Sequence, residues 1–521
     1  MNKKSLVLGM LLVSAYLSAQ SVTGYVYEDA NRNGKKERKE KGLANVAVTN
    51  GSDVVLTDKA GKYELPVGSE AIIAVIKPSG YAVPLNSDNL PQFFYNHKPS
   101  GSPKSEFPGV APTGKLPKSV DFGLYASNEG DNFTALVFGD PQAYNLDEID
   151  YFYRGVVAEV EGIKNVPFGL SLGDLVGNDL SLFNPYIQAV KKVGIPWYNL
   201  LGNHDLNFDA ATDDRADETY EAHFGPANYA FNYGKVHFIV LDDVIYPDPR
   251  DSKGYWGGFR EDQLQFIAND LKYVPKDHLI VLAFHIPLSE PDDDAFRDED
   301  RNRLFSLLKD YPHTLSLSAH THIQRQDFFD KKDGWLQEKP HHHYNVGTTS
   351  GDWYSGKLDE KGIPISVMRD GTQKGYAFIN FNGNQYTVDY KVAGKPKEHQ
   401  MQVFAPKVVA KGKRTKAGVF ANFFMGRKGD KVQYRVDGGE WKEMEHIEAQ
   451  DPSYVELVYE WDLTDKLMSG RRSSDPILST HVWRGSLPAN LEIGTHTIEI
   501  EATDMFGKVH TATKTYKIDK L

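Results

Sequence analysis

The feature that most constrains this chain is a regular alternation of apolar strand segments and helix-period segments between residues 133 and 318. An alternation of this kind predicts a layered α/β domain, because each helix covers a face of the sheet that its neighbouring strands build. The predicted strands lie at residues 133–138, 168–172, 197–201, 237–241, 279–284 and 314–318. The predicted helices lie at residues 147–160, 182–193, 261–273 and 299–310.

Polar residues follow these predicted strands at the point where each strand ends. In open α/β sheets the carboxyl ends of the strands border the ligand crevice, so we expect these groups to converge. Taken singly, an Asp after a strand is often a helix cap, and a His beside an apolar run is often a satisfied core residue. The groups are Asp140 with Gln142, Gly173-Asp174, Gly202-Asn203-His204-Asp205, His285, and His320 with His322.

Taken together, these groups stand in the motif order of the calcineurin-like metallophosphoesterases, and residues 131–322 resemble that family. The resemblance implies an α/β fold, a calcineurin-like four-layer sandwich of two mixed sheets flanked by helices. It also implies hydrolysis of phosphoric ester bonds with two divalent metal ions. Imidazole and oxygen ligands suit Zn, Mn or Fe.

The resemblance assigns the ligands of two ions joined by Asp174, whose two carboxylate oxygens suit a bridge. One ion takes Asp140, Asp174 and His322, and the other takes Asp174, Asn203, His285 and His320. Gln142 departs from the family pattern, which commonly has His at that position. An amide oxygen is a weaker ligand than imidazole, so we expect the first ion to be held less tightly.

The resemblance also implies a mechanism. A water or hydroxide between the ions attacks phosphorus in line. His204 is then the general acid that protonates the leaving oxygen, and Asp205 orients its imidazole.

The segments on either side of this domain are predicted to form β structure. Residues 20–92 are predicted as an N-terminal, prealbumin-like β-sandwich and residues 93–130, rich in Pro, Gly and Ser, as a linker. The catalytic domain then covers residues 131–395, and residues 396–521 are predicted as a C-terminal β-sandwich that includes a strand at 454–461. Both ends are therefore expected to be all-β.

A separate pattern near the start predicts a structural calcium site. Asp29, Asn31, Asn33 and Glu40 stand at positions one, three, five and twelve of a calcium-loop pattern. The alternative is a polar hairpin, because lysines and Arg38 surround the loop.

Two aromatic residues between glycines, Trp256 and Trp353, are candidates for substrate binding. The alternative is that they pack against the domain. The run 341–343, three consecutive histidines, is interpreted as a solvated loop rather than a metal site.

The first residues predict export. Lys3 and Lys4 precede an apolar run at 6–13, and small residues follow up to Ala19, which is typical of a signal peptide at residues 1–19. Export to the periplasm or the cell exterior is therefore expected. With no cysteine in the chain, a lipoprotein anchor, disulfides and thiolate metal sites are excluded. No other segment is predicted to span a membrane.

A net charge of −12 argues against nucleic acid as a partner and leaves a small phosphate ester as the expected substrate. The sequence leaves monoester and diester open, and it predicts no oligomeric state. Two other readings stay open: a surface binding protein without catalysis, and a nucleotide pyrophosphatase or lipid phosphodiesterase.

Overall fold

The computed structural model describes residues 20–290, 294–413 and 415–521. The predicted signal peptide lies outside the described residues. Among the residues described, no helix is both long and apolar enough to cross a membrane.

The N-terminal region forms two four-stranded sheets, with strand orders β4-β1-β8-β6 and β3-β2-β5-β7. In β4 the residues alternate between exposed and buried, which places Tyr63, Leu65 and Val67 in the core. The strands are β1 (Gln20–Glu28), β2 (Ala47–Thr49), β3 (Val54–Leu56), β4 (Lys62–Val67), β5 (Ala71–Val75), β6 (Tyr81–Ala82), β7 (Phe94–His97) and β8 (Phe122–Ala126).

The stretch predicted as a linker, residues 93–130, contributes β7 and β8 to these sheets, so the linker prediction is wrong for these two segments. Strand β7 pairs antiparallel with β5, and β8 pairs parallel with β1. Both are short strands among turn-forming residues, and the partners that order them lie far away in the chain. Local composition therefore gives no sign of them.

The central region contains the two sheets of the predicted sandwich, with orders β11-β10-β9-β21-β22 and β12-β13-β16-β17-β19-β18. The strands are β9 (Asn132–Phe138), β10 (Phe168–Leu172), β11 (Trp197–Leu200), β12 (Tyr229–Tyr233), β13 (Val236–Val240), β14 (Val244–Ile245), β15 (Trp256–Gly257), β16 (Leu279–Ala283), β17 (Thr314–Ser318), β18 (Arg325–Phe329), β19 (His341–Asn345), β20 (Gly356–Lys357), β21 (Gly375–Asn382) and β22 (Gln385–Val392). The helices are α1 (Leu146–Gly155), α2 (Phe183–Val190), α3 (Glu218–Phe224), α4 (Glu261–Asp270) and α5 (Asp298–Leu308).

Alternate residues of the central strands face opposite layers, as the period of a strand requires. In β9, Val137 belongs to the core between the sheets, whereas Phe138 packs edge-on against Phe152 of α1. In β16, Val281 faces the core between the sheets and Leu282 belongs to the cluster that contains the helices. The predicted four-layer α/β sandwich is confirmed.

Strand β19 overturns the prediction of a solvated histidine loop. His341, His342 and His343 are all buried within the six-stranded sheet. The hydroxyl groups of the neighbouring strand β17 give His341 and His343 hydrogen-bond partners, so these rings can be buried at little cost.

The C-terminal region pairs a four-stranded sheet, β23-β25-β30-β28, with a five-stranded sheet, β24-β32-β31-β26-β27. The elements are β23 (Met401–Phe404), β24 (Val408–Ala410), β25 (Gly418–Phe423), β26 (Lys431–Val436), β27 (Lys442–Glu443), β28 (Glu445–Ala449), α6 (Pro452–Asp462), β29 (Gly470–Arg471), β30 (Ser479–Ser486), β31 (Gly494–Thr503) and β32 (Val509–Asp519).

The strand predicted at 454–461 is wrong, because this segment belongs to α6. The side chain of Asp451 accepts a hydrogen bond from the Ser453 N–H, and Pro452 occupies the first turn, where its missing N–H costs nothing. After α6 the chain returns to the central region, where β29 pairs antiparallel with β20.

Candidate active site

The predicted polar groups converge where the carboxyl ends of parallel strands from both sheets meet. Asp140, Asp174 and Asn203 follow β9, β10 and β11 of one sheet, while His285 and the 319–322 loop follow β16 and β17 of the other. The two sheets therefore each supply one half of the cluster.

His285 lies at the centre of this cluster. Its Nε2 atom is 3.0 Å from Asn203 Oδ1, 3.3 Å from Asp174 Oδ1 and 4.0 Å from Asp140 Oδ1. The Nδ1 atom of His320 is 3.2 Å from the same nitrogen. One ligand atom each from Asp174, His285 and His320 lie within 4.8 Å of one another, a spacing that one cation can share.

The turns that carry these residues adopt backbone conformations that side chains rarely take. Asp140, Asp174, His320 and His322 have φ angles of 35°, 46°, 68° and 51°. Such strain persists only where the surrounding structure enforces it, and it is common at functional sites. Close approach explains Gly202 as well, since a Cβ there would lie 2.1 Å from the backbone nitrogen of Asp174.

Two histidines present their Nε2 atoms to the centre because a carbonyl group holds the other nitrogen. The Nδ1–H of His285 donates to the Leu172 carbonyl at 2.8 Å, and that of His322 donates to the Gly351 carbonyl at 2.6 Å. With Nδ1 committed in this way, Nε2 is the nitrogen that each ring offers to a metal ion.

Two buried polar atoms of the cluster have no hydrogen-bond partner among the described residues. They are Nε2 of His322 and Oε1 of Gln142. Gln142 donates through Nε2 to Asp174 Oδ2 at 3.0 Å, which turns its oxygen away from that carboxylate. Buried unpaired acceptors are costly, and a cation satisfies both. The nitrogen and oxygen donors present fit divalent ions such as Zn, Mn or Fe.

The electrostatics of the cluster also favour the binding of positive charge. Burial raises the pKa of Asp140 well above its ordinary value. Burial raises the pKa of Asp174 too, but the charges of His285 and His204 outweigh burial and hold this pKa below its ordinary value. Burial lowers the pKa of His285, yet Asp174 and Asp140 more than offset it and raise the pKa to about 10. The two carboxylates thus lie close enough to His285 to stabilise a positive charge at the centre of the cluster.

The other two imidazoles are poised to stay neutral. Burial, followed by the charge of His285, lowers the pKa of His320 to about 3. Burial lowers the pKa of His322 to about 4. A neutral ring keeps its lone pair available to a metal ion at all ordinary pH values.

His204 stands beside the cluster and is half-buried. Its backbone N–H donates to Asp174 Oδ1 at 2.9 Å, which fixes the residue against the central carboxylate. Its ring nitrogen Nδ1 is 2.6 Å from Oδ1 of Asn178, and Tyr144 meets the ring edge-on. The amide oxygen of Asn178 can only accept, so Nδ1 carries the hydrogen.

The prediction that Asp205 orients His204 is wrong. The carboxylate of Asp205 accepts from the backbone N–H groups of Leu175, Val176 and Gly202 at 3.0, 3.1 and 2.9 Å. Asp205 therefore holds two turns of the cluster together, and burial raises its pKa to about 8. Asn178 orients the ring instead, and sequence reasoning missed it. The only local signal is its position in a Gly-Asn turn shortly after Asp174.

The two candidate substrate tryptophans have different surroundings. The ring of Trp353 stacks on His322 with centroids 4.0 Å apart, so Trp353 lies at the rim of the cluster. Trp256 instead packs under Arg250 at 3.9 Å and donates to the Asp294 carbonyl, and the substrate-binding prediction is not supported for it. Tyr255, the residue before β15, is the aromatic residue that meets His320 edge-on.

Two arginines complete the rim. Arg369 donates to the Thr321 carbonyl at 3.1 Å and lies 5.8 Å from the centroid of Trp353. Arg471, from β29 of the C-terminal region, donates to the Trp353 carbonyl. Within the described part of the chain neither guanidinium forms an ion pair with a carboxylate. Both therefore remain available to an anion.

The predicted calcium loop is a compact polar turn. Asp29 accepts from the N–H groups of Asn33 and Gly34 at 3.1 and 2.8 Å. The amides of Asn31 and Asn33 donate to Glu37, and Glu40 accepts from the Glu37 N–H. Glu37 thus lies against the two asparagines where Glu40 was expected, and calcium binding stays a prediction.

Models of one family match most of the chain. Residues 133–324 match the calcineurin-like phosphoesterase model, residues 30–109 match the N terminal of calcineurin-like phosphoesterase, and residues 343–510 match the C terminal of calcineurin-like phosphoesterase. The fold and the site define a metal-dependent phosphoester hydrolase. The chain belongs to the calcineurin-like phosphoesterase family.

Two solved structures are similar to parts of this chain. A purple acid phosphatase, PPD1, from yellow lupin (Lupinus luteus) seeds is 11% identical, with 72% of this chain and 67% of that chain covered and a TM-score of 0.36. GAP50, the anchor in the inner membrane complex of Plasmodium, is 18% identical, with 51% of this chain and 85% of that chain covered and a TM-score of 0.31. No curated protein sequence matches this chain.

Proposed function

We propose that this protein hydrolyses a small phosphate monoester or diester with two divalent ions, and that His204 protonates the leaving oxygen. The observation that carries the proposal is the pair of buried, unpartnered atoms, His322 Nε2 and Gln142 Oε1, in a cluster that already contains two carboxylates. One ion would be held by Asp140, Gln142, Asp174 and His322, and the other by Asp174, Asn203, His285 and His320. When bound, the ions supply Lewis-acid chemistry and positive charge for a phosphoryl group.

His204 is suited to proton transfer because only one of its nitrogens is committed. Asn178 accepts from Nδ1–H whether the ring is neutral or charged, so Nε2 is the nitrogen that gains and loses the proton. The contact of its backbone with Asp174 keeps the ring beside the site of reaction. A positioned general acid of this kind contributes on the order of 10²–10⁴-fold to rate.

The arginines of the rim extend the site towards the substrate. Arg369 contacts the loop that carries His320 and His322, and the Nε atom of Arg369 is buried without a hydrogen-bond partner among the described residues. A guanidinium binds phosphate oxygens through fork-like pairs of hydrogen bonds. We infer that Arg369 contacts the phosphoryl oxygens and that Trp353 borders the ester group.

The proposal is tested with purified protein stripped of metal and reloaded with Zn²⁺, Mn²⁺, Fe²⁺ or Ca²⁺. Hydrolysis of an aryl phosphate and of a bis-aryl phosphate distinguishes monoester from diester activity. We expect turnover to return with at least one of the first three ions and to be abolished by Asp174→Asn. Asp179→Asn, an exposed cap in the same loop, is the matched control and should keep wild-type activity. Activity that survives both chelation and Asp174→Asn overturns the proposal, and absence of turnover with every ion favours a binding protein.

The role of His204 is tested separately through the leaving group. We expect His204→Ala to slow an alkyl phosphate by about 10²–10⁴-fold, and an ester of an acidic phenol far less, because an acidic phenol leaves without a proton. Bound metal should stay at the wild-type amount. Loss of a metal ion from this variant would make His204 a ligand instead.

We also propose that the protein is exported. The support is the run of residues 1–19, in which two lysines precede an apolar segment. Expression in a bacterial host followed by cell fractionation and N-terminal sequencing tests this. Intact Met1 in a cytoplasmic fraction would contradict it.

A further inference from the structure

A buried line of hydrogen bonds runs along strands β17 and β19 towards the loop that carries His320 and His322. The line alternates between the strands because the residues share one face of the sheet, where Ser316 pairs in register with His343 and Ser318 pairs with Asn345. Its members, in order, are Thr314, His341, Ser316, His343, Ser318, Asn345 and Thr321.

Each pair of neighbouring groups in this line lies within hydrogen-bond distance. His341 is 2.8 Å from the Thr314 hydroxyl and 2.7 Å from that of Ser316. His343 is 2.7 Å from Ser316 and 2.9 Å from Ser318. Asn345 accepts from Ser318 at 3.0 Å.

At its end the line reaches the metal-facing loop directly. The Nδ2 group of Asn345 donates to the Thr321 hydroxyl at 2.6 Å and to the Ile323 carbonyl at 3.0 Å. Thr321 lies between His320 and His322, whose backbones are both held in the left-handed region. A loop in that conformation needs contacts from outside itself to stay in place.

The chemistry of Asn345 determines the direction of every hydrogen bond in the line. The Ile323 carbonyl can only accept, so the amide nitrogen faces the loop and the amide oxygen faces Ser318. The Ser318 hydroxyl must then donate to Asn345, and it accepts from Nε2–H of His343. By the same argument Ser316 donates to Nδ1 of His343. Both histidines are therefore neutral, with the hydrogen on Nε2.

The surroundings of the line exclude water. Phe284 stacks on the ring of His343, and Trp335 packs against His341. All members except the first, Thr314, are buried. In such surroundings one broken link leaves two groups unpaired, so the links depend on one another.

We propose that this line positions the 319–322 loop for metal binding, with Asn345, Ser318 and His343 as positioning residues. The inference rests on the proposed function, in which His320 and His322 bind the ions. Hydrogen bonds behind a ligand orient it, and losing one typically weakens metal binding by about 10- to 100-fold.

His342 provides an internal comparison. It lies on β19 between His341 and His343, but it faces the other side of the sheet, where Nδ1 contacts the Tyr386 hydroxyl at 2.8 Å. Tyr386→Phe therefore removes one buried hydroxyl next to the same strand without touching the line. Thr321→Val removes one hydroxyl of the line and keeps its shape, and Thr321→Ser restores the hydroxyl.

The test is calorimetric titration of the metal-stripped full-length protein with Mn²⁺. We expect Thr321→Val to weaken binding at one site or more by about 10- to 100-fold, whereas Thr321→Ser and Tyr386→Phe stay within about twofold of wild type. Unchanged affinity in Thr321→Val, or an equal loss in Tyr386→Phe, overturns the inference alone. Wild-type protein that binds none of Mn²⁺, Zn²⁺ and Fe²⁺ overturns the proposed function and this inference with it.

A second experiment begins with the tautomer of His343 in metal-free protein. In metal-free protein labelled with ¹⁵N-histidine, correlation spectra should show His343 as the Nε2–H tautomer, with its resonances assigned through His343→Gln. Ser316→Ala removes the donor to Nδ1, so the tautomer should change and Mn²⁺ affinity should fall, although position 316 touches no ligand. An Nδ1–H tautomer in the wild type, or no change of tautomer and affinity in Ser316→Ala, overturns the proposal.

Discussion

Two groups of histidines lie on neighbouring segments of one sheet, yet the structure uses them in opposite ways. In the metal-facing group, His285 and His322 each give one nitrogen to a backbone carbonyl and keep the other for the centre. In the β19 group, His341 and His343 give both nitrogens to hydroxyl groups. The difference lies entirely in what stands opposite the second nitrogen.

This comparison shows that burial alone does not mark a metal ligand. Burial lowers the pKa of His322 to about 4 and that of His341 to about 3, so both rings are neutral and both are chemically able to bind a cation. Of these two rings, only that of His322 has a buried nitrogen without a hydrogen-bond partner among the described residues. The unpaired nitrogen of His322 belongs to a cluster that also contains two carboxylates, whereas both nitrogens of His341 are hydrogen-bonded to hydroxyl groups and form a structural link.

The largest effect is expected for His322→Ala. Loss of a ligand should cost more than the 10- to 100-fold that loss of an outer contact costs, so activity should fall by more than about 100-fold. Metal-free stability should fall by about 1–2 kcal/mol, since one hydrogen bond and the ring contact with Trp353 are lost. Metal analysis, turnover and urea unfolding under chelation measure the three quantities. Full metal content in this variant would show that His322 is not a metal ligand.

His343→Leu should show the reverse pattern in stability. It removes the acceptor of the Ser316 hydroxyl and the donor to the Ser318 hydroxyl, and each buried group left unsatisfied costs about 1–3 kcal/mol. We expect the metal-free protein to lose about 2–5 kcal/mol in urea unfolding, more than His322→Ala loses. A smaller loss of stability than in His322→Ala would show that His343 is not a structural link.

The next effect in size is a loss of protein stability in acid, which arises from the buried histidines of β19. Burial holds the pKa of His341 at about 3 and that of His343 well below its ordinary value. The unfolded chain takes up these protons first, near pH 6.5, so this contribution to stability is full above that pH and is lost as the pH falls. Each histidine contributes a slope of up to about 1.4 kcal/mol per pH unit.

The measurement is urea unfolding of metal-free protein at several pH values between 7.5 and 5. His343→Leu should show a smaller slope than wild type by one proton. His285 acts with the opposite sign, because its raised pKa of about 10 gives stability that is full below pH 6.5 and is lost as the pH rises through 10. An equal slope in the variant and the wild type would show that His343 is not buried neutral.

The central strands were predictable because parallel strands buried on both faces read as unbroken apolar runs. Strands β10 and β17 have the bounds that the sequence predicts. The segment 454–461 was predicted as a strand because its valines and aromatic residues favour strands. The signal for α6 is the Asp451-Pro452 pair before it. Short strands such as β8 depend on distant partners and leave little local trace.

For the site, sequence reasoning could name the residues but not their partners. Asp174 and His285 stand directly after strands, so their convergence follows from the topology. The hydrogen bonds of Asp205 to the turn after Asp174, and those of β19 to β17, join segments that are far apart in the chain. No local pattern encodes those contacts.

The partner that sequence reasoning missed, Asn178, carries the last prediction. Removing its amide oxygen in Asn178→Ala frees Nδ1 of His204, so the ring can turn or change tautomer, but no metal-facing atom is lost. We expect turnover of an alkyl phosphate to fall by about tenfold, within the range that general acid catalysis contributes, with unchanged metal content and little change in KM. Asn178→Asp keeps an acceptor oxygen and should retain most of the activity, with the basic limb of the pH profile moved upwards because a carboxylate stabilises the charged ring. If Asn178 were only a turn residue, both variants would lose stability and neither would move the pH profile.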